Sequence, residues 1–154
     1  MQSPEMAPSP ARHSVEARLI DWPAAHAMTQ AAALHAQQLG VRVNIAVVDC
    51  AGNLAAFLRM PGAPLHSIDI AIDKAYTAAS FGLATSGWST ALRTHSEAVR
   101  QGLVLRARFV AFGGGLPIVE GGQRVGAIGV SGGSESEDED CARAALNALG
   151  LGPP

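Results

Sequence analysis

The chain has 154 residues, a formal net charge of -2 at pH 7 and only 16% charged residues. This length suits one domain with a substantial core, and so weak a charge gives no electrostatic reason to expect binding to nucleic acid or to an anionic membrane. Hydrophobic residues make up 48% of the sequence, which favours a globular protein over a disordered one. The two cysteines are too few for a disulfide framework, and no apolar stretch reaches the roughly 20 residues that a membrane span needs.

Composition divides the chain into one domain and two tails. Residues 1–19 begin with a stretch that contains Pro and Ser and lacks the apolar core of a secretory signal. We therefore expect a disordered or extended tail there, and a cytoplasmic location. Residues 20–150 are expected to form a single domain, followed by a short tail at 151–154.

The first part of the domain predicts a helix and a hairpin. Asp21 is a suitable N-cap and Gly40 a suitable stop for a helix that ends near Leu39. Residues 43–48 are rich in β-branched side chains and predict a strand buried on both faces. Turn residues then lead into a second strand at 54–58.

Histidines lie on the apolar stripes of two predicted helices. In the first helix His35 falls on a stripe with steps of three and four residues. After a second helix at 66–81, a third is predicted over 86–100 and places His95 on its apolar side. The sequence leaves two interpretations open for each imidazole: a hydrogen bond inside the core or an interface, or ligation of a haem iron or a metal ion. The other stripe residues are Ala25, Met28, Ala32 and Leu39 in the first helix and Trp88, Leu92 and Val99 in the third.

The second part of the domain predicts three strands and a final helix. The strands are expected at 109–112, 116–120 and 124–131, with a two-residue Gly-Gly turn between the last two. Ser134 and Glu137 form a capping box that begins the final helix. Because hairpins join antiparallel strands, this order predicts an α/β (α+β) fold in which helices pack on an antiparallel sheet.

Two basic residues are candidates for binding a carboxylate. Arg59 follows a predicted strand just before a loop with two prolines, and Lys74 lies on a largely apolar helix. A guanidinium or an ammonium in such a position can pair with a propionate or an organic acid. The alternatives are an ion pair of Arg59 with Asp49 or Asp73, and a Lys74 side chain that extends to solvent.

The remaining polar candidates are weaker. His66, Asp69 and Asp73 form a compact cluster, for which a solvated helix face is favoured over a metal site. We therefore predict no bound metal ion. No Ser-His-Asp or Cys-His arrangement can be identified, because nothing in the sequence marks a nucleophile turn or pairs a cysteine with a base.

Glycine clusters occur at 113–115 and 132–133, and neither matches a nucleotide-binding pattern. Acidic residues crowd the helix start after the second cluster and would repel a phosphate there, so tight turns are expected. In the first cluster, Gly113 and Gly114 are candidates for the wall of a ligand pocket.

Several blocks of the chain resemble one protein family. They include the strand and turn at 43–49, the helix segments 67–71 and 74–78, and the glycine-rich segments 113–118 and 125–132. In these blocks the chain is similar to the GlcG/HbpS-type haem-binding family, which is related to the C-terminal domain of PduO-type corrinoid adenosyltransferases. Smaller matches are Gly52, Arg59-Met60, Gly62-Ala63 and Phe81-Gly82.

The resemblance implies a profilin-like layered fold with a five-stranded antiparallel sheet, and assembly into tetramers or octamers. It also implies haem as the cofactor. In that case Arg59 or Lys74 would neutralise the propionates, and Gly113 and Gly114 would line the site. The family has no fixed haem-ligating histidine that we can place in this chain, so the choice of His35 or His95 as axial ligand depends on the stripe argument alone.

Our leading hypothesis is therefore an oligomeric small-molecule-binding protein, with haem as its ligand. The alternative is an enzyme acting on a small carboxylated metabolite of aromatic catabolism, by hydrolytic dehalogenation or tautomerisation. Lys74 and Arg59 would then hold the carboxylate, while Asp49 or His66 would move a proton. A third hypothesis is an accessory or assembly subunit without a ligand.

Overall fold

Five α-helices and four strands make up the part of the chain that a computed structural model describes, residues 12–152. Residues 1–11 of the predicted N-terminal tail and 153–154 of the C-terminal tail lie outside it, so the tail boundaries stay predictions. The elements are α1 (Trp22–Leu39), β1 (Asn44–Asp49), β2 (Leu54–Arg59), α2 (Ser67–Phe81), α3 (Trp88–Ala91), α4 (Glu97–Leu103), β3 (Gly115–Glu120), β4 (Gln123–Ser131) and α5 (Glu135–Ala148). None of these helices is long and apolar enough to cross a membrane.

The sheet is antiparallel throughout, in the order β2-β1-β4-β3. β1 is a central strand, and its Val47 pairs with Ala56 on one side and Ile128 on the other. The predicted Gly-Gly turn joins β3 to β4, with φ angles of 58° at Gly121 and 76° at Gly122. The expected antiparallel sheet with packed helices is confirmed, and the finer profilin-like arrangement stays a prediction.

The expectation of five strands is wrong, because residues 109–112 do not join the sheet. The backbone N–H of Val110 donates instead to the Thr77 hydroxyl on α2, at 3.1 Å. A few residues later the N–H of Gly115 donates to Thr85 Oγ1, at 2.8 Å. Side chains of α2 and of the turn after it thus satisfy backbone groups that a strand neighbour would otherwise bind.

The prediction of one continuous helix over 86–100 is also wrong. The chain forms α3 between two 3-10 turns, Thr85–Gly87 and Leu92–Thr94, before α4 begins. His95 is extended, with ψ at 161°, and Ser96 caps α4 by accepting a hydrogen bond from the N–H of Val99. A new N-cap within the apolar pattern therefore ends one helical segment and starts another.

Two different layers cover the sheet. On one face α1 and α5 pack over the large core, which includes Met28, Ile45, Val47 and Ile128. On the other face α2 packs through a smaller cluster rich in alanine. Small side chains let this helix lie close to the strands, which brings α2 and the residues it carries against β4.

Local signals at the helix ends agree with the predictions. The N–H of Trp22 donates to the Asp21 carboxylate at 2.7 Å, and Gly40 ends α1 with a φ of 75°. At the start of α5 the predicted capping box is present, since Ser134 and Glu137 exchange side-chain to backbone hydrogen bonds. These contacts depend only on neighbouring residues, and for that reason sequence patterns detect them.

The capping box predicts a pH dependence of stability. The backbone N–H and the hydroxyl of Ser134 both donate to Glu137, and they hold the pKa of that carboxyl below its usual value. A depressed folded-state pKa means that the stabilisation is present above the unfolded pKa and is lost as the pH falls through the folded value. Between about pH 5 and pH 3, the unfolding free energy of Glu137→Gln should therefore fall less than that of the native chain. Urea unfolding at several pH values measures this difference, and equal slopes would contradict it.

Candidate functional site

Lys74 and Asp138 form an ion pair inside the protein. The Lys74 Nζ lies 2.8 Å from Asp138 Oδ2 and donates a second hydrogen bond of 2.8 Å to the carbonyl oxygen of Val130. The two side chains are only 1% and 3% exposed. The ring of Phe112 also faces the ammonium, with its centroid 5.1 Å away. A ligand carboxylate would reach this ammonium only by displacing one of its internal partners.

Burial has opposite effects on the two charged groups. It lowers the pKa of Lys74 and raises the pKa of Asp138, while the attraction between the two groups acts against both shifts. The pair links α2 to α5 in a region with little access to water. Its geometry is that of a structural ion pair whose members depend on each other.

The first glycine cluster lies directly over this ion pair. Gly114 has a φ of 125°, and a Cβ added to it would lie 2.6 Å from the Lys74 Nζ. The N–H of Gly113 donates to Glu135 Oε1 at 2.7 Å. Gly113 also lines a cavity of about 310 Å³, together with Ser86, Glu135, Ser136, Glu139 and Asp140. This wall is acidic, and an anionic group would be repelled there.

The other residues of the enzyme hypothesis do not converge. Asp49 and Arg59 lie at opposite ends of the β1–β2 hairpin. The Asp49 carboxylate accepts hydrogen bonds from Ala51 and Asn53, and the Arg59 guanidinium donates to the carbonyl oxygen of Ala63 at 2.6 Å. His66 is exposed just before α2, and within residues 12–152 no group of three or more His, Cys, Asp or Glu side chains is placed to hold a metal ion.

The two candidate haem ligands lie in different environments. His35 is half-buried beside the buried stripe of α1, in which Ala36 takes the place that the predicted stripe assigned to His35. His95 is exposed in the link between α3 and α4, and it does not share an apolar helix side with Trp88. Neither imidazole hydrogen bonds to the described part of the chain, so both have nitrogens available to a ligand. Their role stays a prediction.

A cleft that the sequence did not predict lies between α2 and the segment after α4. We define it by Tyr76, Ser80, Phe81, Arg106, Arg108 and Phe109, and name it the arginine cleft. Its volume is about 260 Å³. Tyr76 and Ser80 also line a neighbouring cavity of about 180 Å³ beside the β1–β2 turn. Aromatic walls and two guanidinium groups thus meet at one place.

Arg108 is held firmly at this cleft. Its Nε donates to Asp73 Oδ1 at 2.9 Å, and its guanidinium carbon lies 3.6 Å from the centroid of the Tyr76 ring. Its φ is 66°, a left-handed value that no other non-glycine residue of the described chain adopts. The buried Thr77 hydroxyl donates to the carbonyl oxygen of Arg108 at 2.9 Å. One of the sequence alternatives paired Asp73 with Arg59. The structure pairs Asp73 with Arg108 instead.

The cleft includes the Arg-Ala-Arg-Phe run at 106–109. Two arginines separated by one residue share a side only in an extended segment, whereas residues 104–108 form turns and bends, with Arg108 in the left-handed region. The spacing of the two arginines therefore does not by itself predict a shared cleft. Only the packing of this segment against α2 places both arginines beside Phe81.

Comparison with known proteins identifies the family. A family model described as haem-degrading protein HbpS-like matches residues 20–147. The corrinoid adenosyltransferase PduO of Salmonella typhimurium is 36% identical over 127 residues, which cover 82% of this chain but only 38% of PduO. This chain therefore spans well under half of that relative.

Solved structures agree with this match. Protein ORFY of Klebsiella pneumoniae superimposes with a TM-score of 0.83 at 33% identity, covering 92% of this chain and 97% of ORFY. The chain of a PduOC:heme complex superimposes with a TM-score of 0.79 at 34% identity, covering 87% and 97%. The resemblance to the HbpS-type family is thus confirmed, and the chain belongs to the HbpS-like family.

Proposed function

We propose that this protein is a small-molecule-binding protein whose ligand is haem. The observation that carries the proposal is the similarity to the PduOC chain, which was solved as a heme complex and matches nearly the whole domain. The description of the matching family as haem-degrading supports the same ligand. When bound, haem supplies an iron centre for ligand binding or electron transfer, and the protein holds and orients it.

The donor groups of the chain fit this ligand. Imidazole is a common axial ligand of haem iron, and His35 and His95 have side chains that no hydrogen bond within residues 12–152 occupies. In the proposal one of them contacts the iron, and Arg59 is a candidate partner for a propionate. Lys74 is not a direct propionate partner in this proposal, because its ammonium is paired with Asp138 beneath Gly114.

We also propose that the protein assembles into a homo-oligomer, either a tetramer or an octamer. Large apolar side chains on several elements are exposed in the single chain, among them Trp22, Leu54 and Leu65. Burial of such side chains between subunits would favour association. A ligand site shared between subunits would also explain how side chains as exposed as His95 take part in haem binding.

Titration of the purified protein with haemin tests the function. We expect a saturable shift of the Soret band in the native protein. Replacing the axial histidine, by either His35→Ala or His95→Ala, should weaken binding by about tenfold or more and change the band position. His26→Ala is the matched control, because His26 is exposed on α1 and lies outside the predicted stripe.

The possible results distinguish a wrong ligand from a wrong axial histidine. A native protein that produces no Soret shift would contradict haem binding. If the native protein binds haemin and both alanine variants bind as tightly as His26→Ala, the ligand stands and the axial assignment is wrong.

A further inference from the structure

We propose that the arginine cleft is a carboxylate-binding site, and that Arg106 and Arg108 bind the two propionates of haem there. This inference rests on the proposed haem binding and assigns the propionates to Arg106 and Arg108 in place of Arg59. The family blocks used above do not include Arg106 or Arg108. The cleft combines unfilled hydrogen-bond donors, an aromatic wall and a fixed backbone.

The cleft carries unfilled hydrogen-bond donors. Within residues 12–152 the Arg106 side chain makes no hydrogen bond and no ion pair, and Arg108 uses only its Nε, on Asp73. Only one of the two guanidinium groups is therefore paired with a carboxylate, which leaves a positive charge at the cleft. The planar fork of a guanidinium matches the two oxygens of a carboxylate. Two such forks at one cleft suit a ligand with two carboxylates.

The wall beside these arginines suits a planar apolar ligand. Phe81, Trp88 and Phe109 form a cluster of edge-to-face rings with centroids 4.8 to 5.9 Å apart. Trp88 is buried behind the wall, whereas 48% of Phe81 is exposed at the cleft. An exposed aromatic ring next to guanidinium groups with free N–H donors suits a ligand that has both an apolar and an anionic part.

The size of the cleft limits how the ligand enters. At about 260 Å³ it is smaller than the roughly 300–1,000 Å³ of pockets that enclose a whole small molecule. It would thus hold the propionate edge of a haem, while the rest of the ring extends outside. The neighbouring cavity beside Cys50 and Gly52 continues the surface past Tyr76.

The backbone fixes Arg108 before any ligand arrives. Thr77 holds the backbone from Arg108 to Val110, because its hydroxyl donates to the Arg108 carbonyl and accepts from the N–H of Val110. Left-handed backbone at a bulky residue persists only where the surroundings impose it, and it concentrates at binding sites. A guanidinium held in this way loses little freedom on binding, which favours affinity.

Haemin and its dimethyl ester test the assignment, because the ester keeps the macrocycle and the iron but has no free carboxylates. We expect the native protein to bind haemin about tenfold or more tightly than the ester. The double variant Arg106→Gln/Arg108→Gln should bind haemin about as weakly as the native protein binds the ester, and its affinity for the ester should not change. Arg108→Lys keeps the positive charge and should retain part of the preference.

Arg143→Gln is the matched control. Its side chain is 43% exposed and paired with Glu139, and the side chain of Arg108 is 42% exposed and paired with Asp73. Arg143 lies on α5, on the face of the sheet opposite the arginine cleft, so its loss should leave the preference for haemin over the ester unchanged. Circular dichroism and urea unfolding establish that each variant is folded.

Each outcome has a distinct meaning. If the native protein binds haemin and the ester equally well, or if the folded double variant binds haemin like the native protein, the propionate assignment is wrong while haem binding stands. If neither porphyrin binds, the proposed function fails and the assignment fails with it. Benzoate serves as a small free carboxylate: if it binds in an arginine-dependent way while haemin affinity is unaffected, the cleft serves a free acid and the haem assignment is overturned.

Discussion

Replacement of Lys74 by methionine is expected to lower the free energy of unfolding by about 3–5 kcal/mol. The variant keeps the apolar part of the side chain but leaves the Asp138 carboxylate buried without its cation. It also removes the hydrogen bond to the carbonyl oxygen of Val130. The cost comes mainly from the uncompensated charge, and for the same reason Asp138→Asn should also destabilise the protein.

Urea unfolding with linear extrapolation measures the effect. The double variant Lys74→Met/Asp138→Leu should recover most of the loss, because an apolar pair of similar volume avoids the cost of burying charge. Arg143→Gln removes a half-exposed ion pair with Glu139 and should cost only about 0–1 kcal/mol. A loss that small for Lys74→Met would show that Asp138 reaches water or another cation.

Replacement of Gly129 by alanine is the second large effect, a loss of about 3 kcal/mol at the upper end of what overpacking costs. A Cβ on Gly129 would lie 2.5 Å from the backbone nitrogen of Ala75 and closer still to the carbonyl oxygen of Ala71. Both atoms belong to the backbone of α2, so no side-chain rotation relieves the contact. The helix must move away from β4, and the contacts of its alanine-rich face with the sheet are lost.

Gly102→Ala is the control for this substitution. A Cβ on Gly102 meets no heavy atom within 4 Å, and the residue lies within α4. Alanine is the better helix former, so this variant should gain up to about 1 kcal/mol. If urea unfolding shows that Gly129→Ala lowers the free energy of unfolding and Gly102→Ala raises it, then crowding, and not the loss of glycine itself, causes the effect. Native-like stability of Gly129→Ala would contradict the close packing of α2 on β4.

The interior of the candidate site was harder to predict than its surroundings. The sequence marked Lys74 as a basic residue on a largely apolar helix, but it did not indicate the buried pairing with Asp138, 64 positions away. No local pattern connects the two, because the residues come together only through the tertiary packing of α2 and α5. Phe112 and Gly114 come to the same ammonium for the same reason.

The wrong predictions share a physical cause. The apolar pattern over 86–100 suggested one helix, yet Ser96 and Thr94 hydrogen bond to nearby backbone groups and divide it. The segment 109–112 has strand-like side chains, yet the Thr77 hydroxyl binds its backbone. Periodicity records which residues are apolar, and it does not record which polar group will satisfy each backbone donor.

The sequence by itself determined the elements that depend on neighbouring residues, together with the family. The Asp21 cap, the Gly-Gly turn and the Ser134 capping box are all formed within a few residues of chain. Only the tertiary structure decided which charged groups are buried as a pair and which remain open to a ligand. Those choices depend on contacts between α2 and distant segments, because the balance between desolvation and pairing is settled by the final packing.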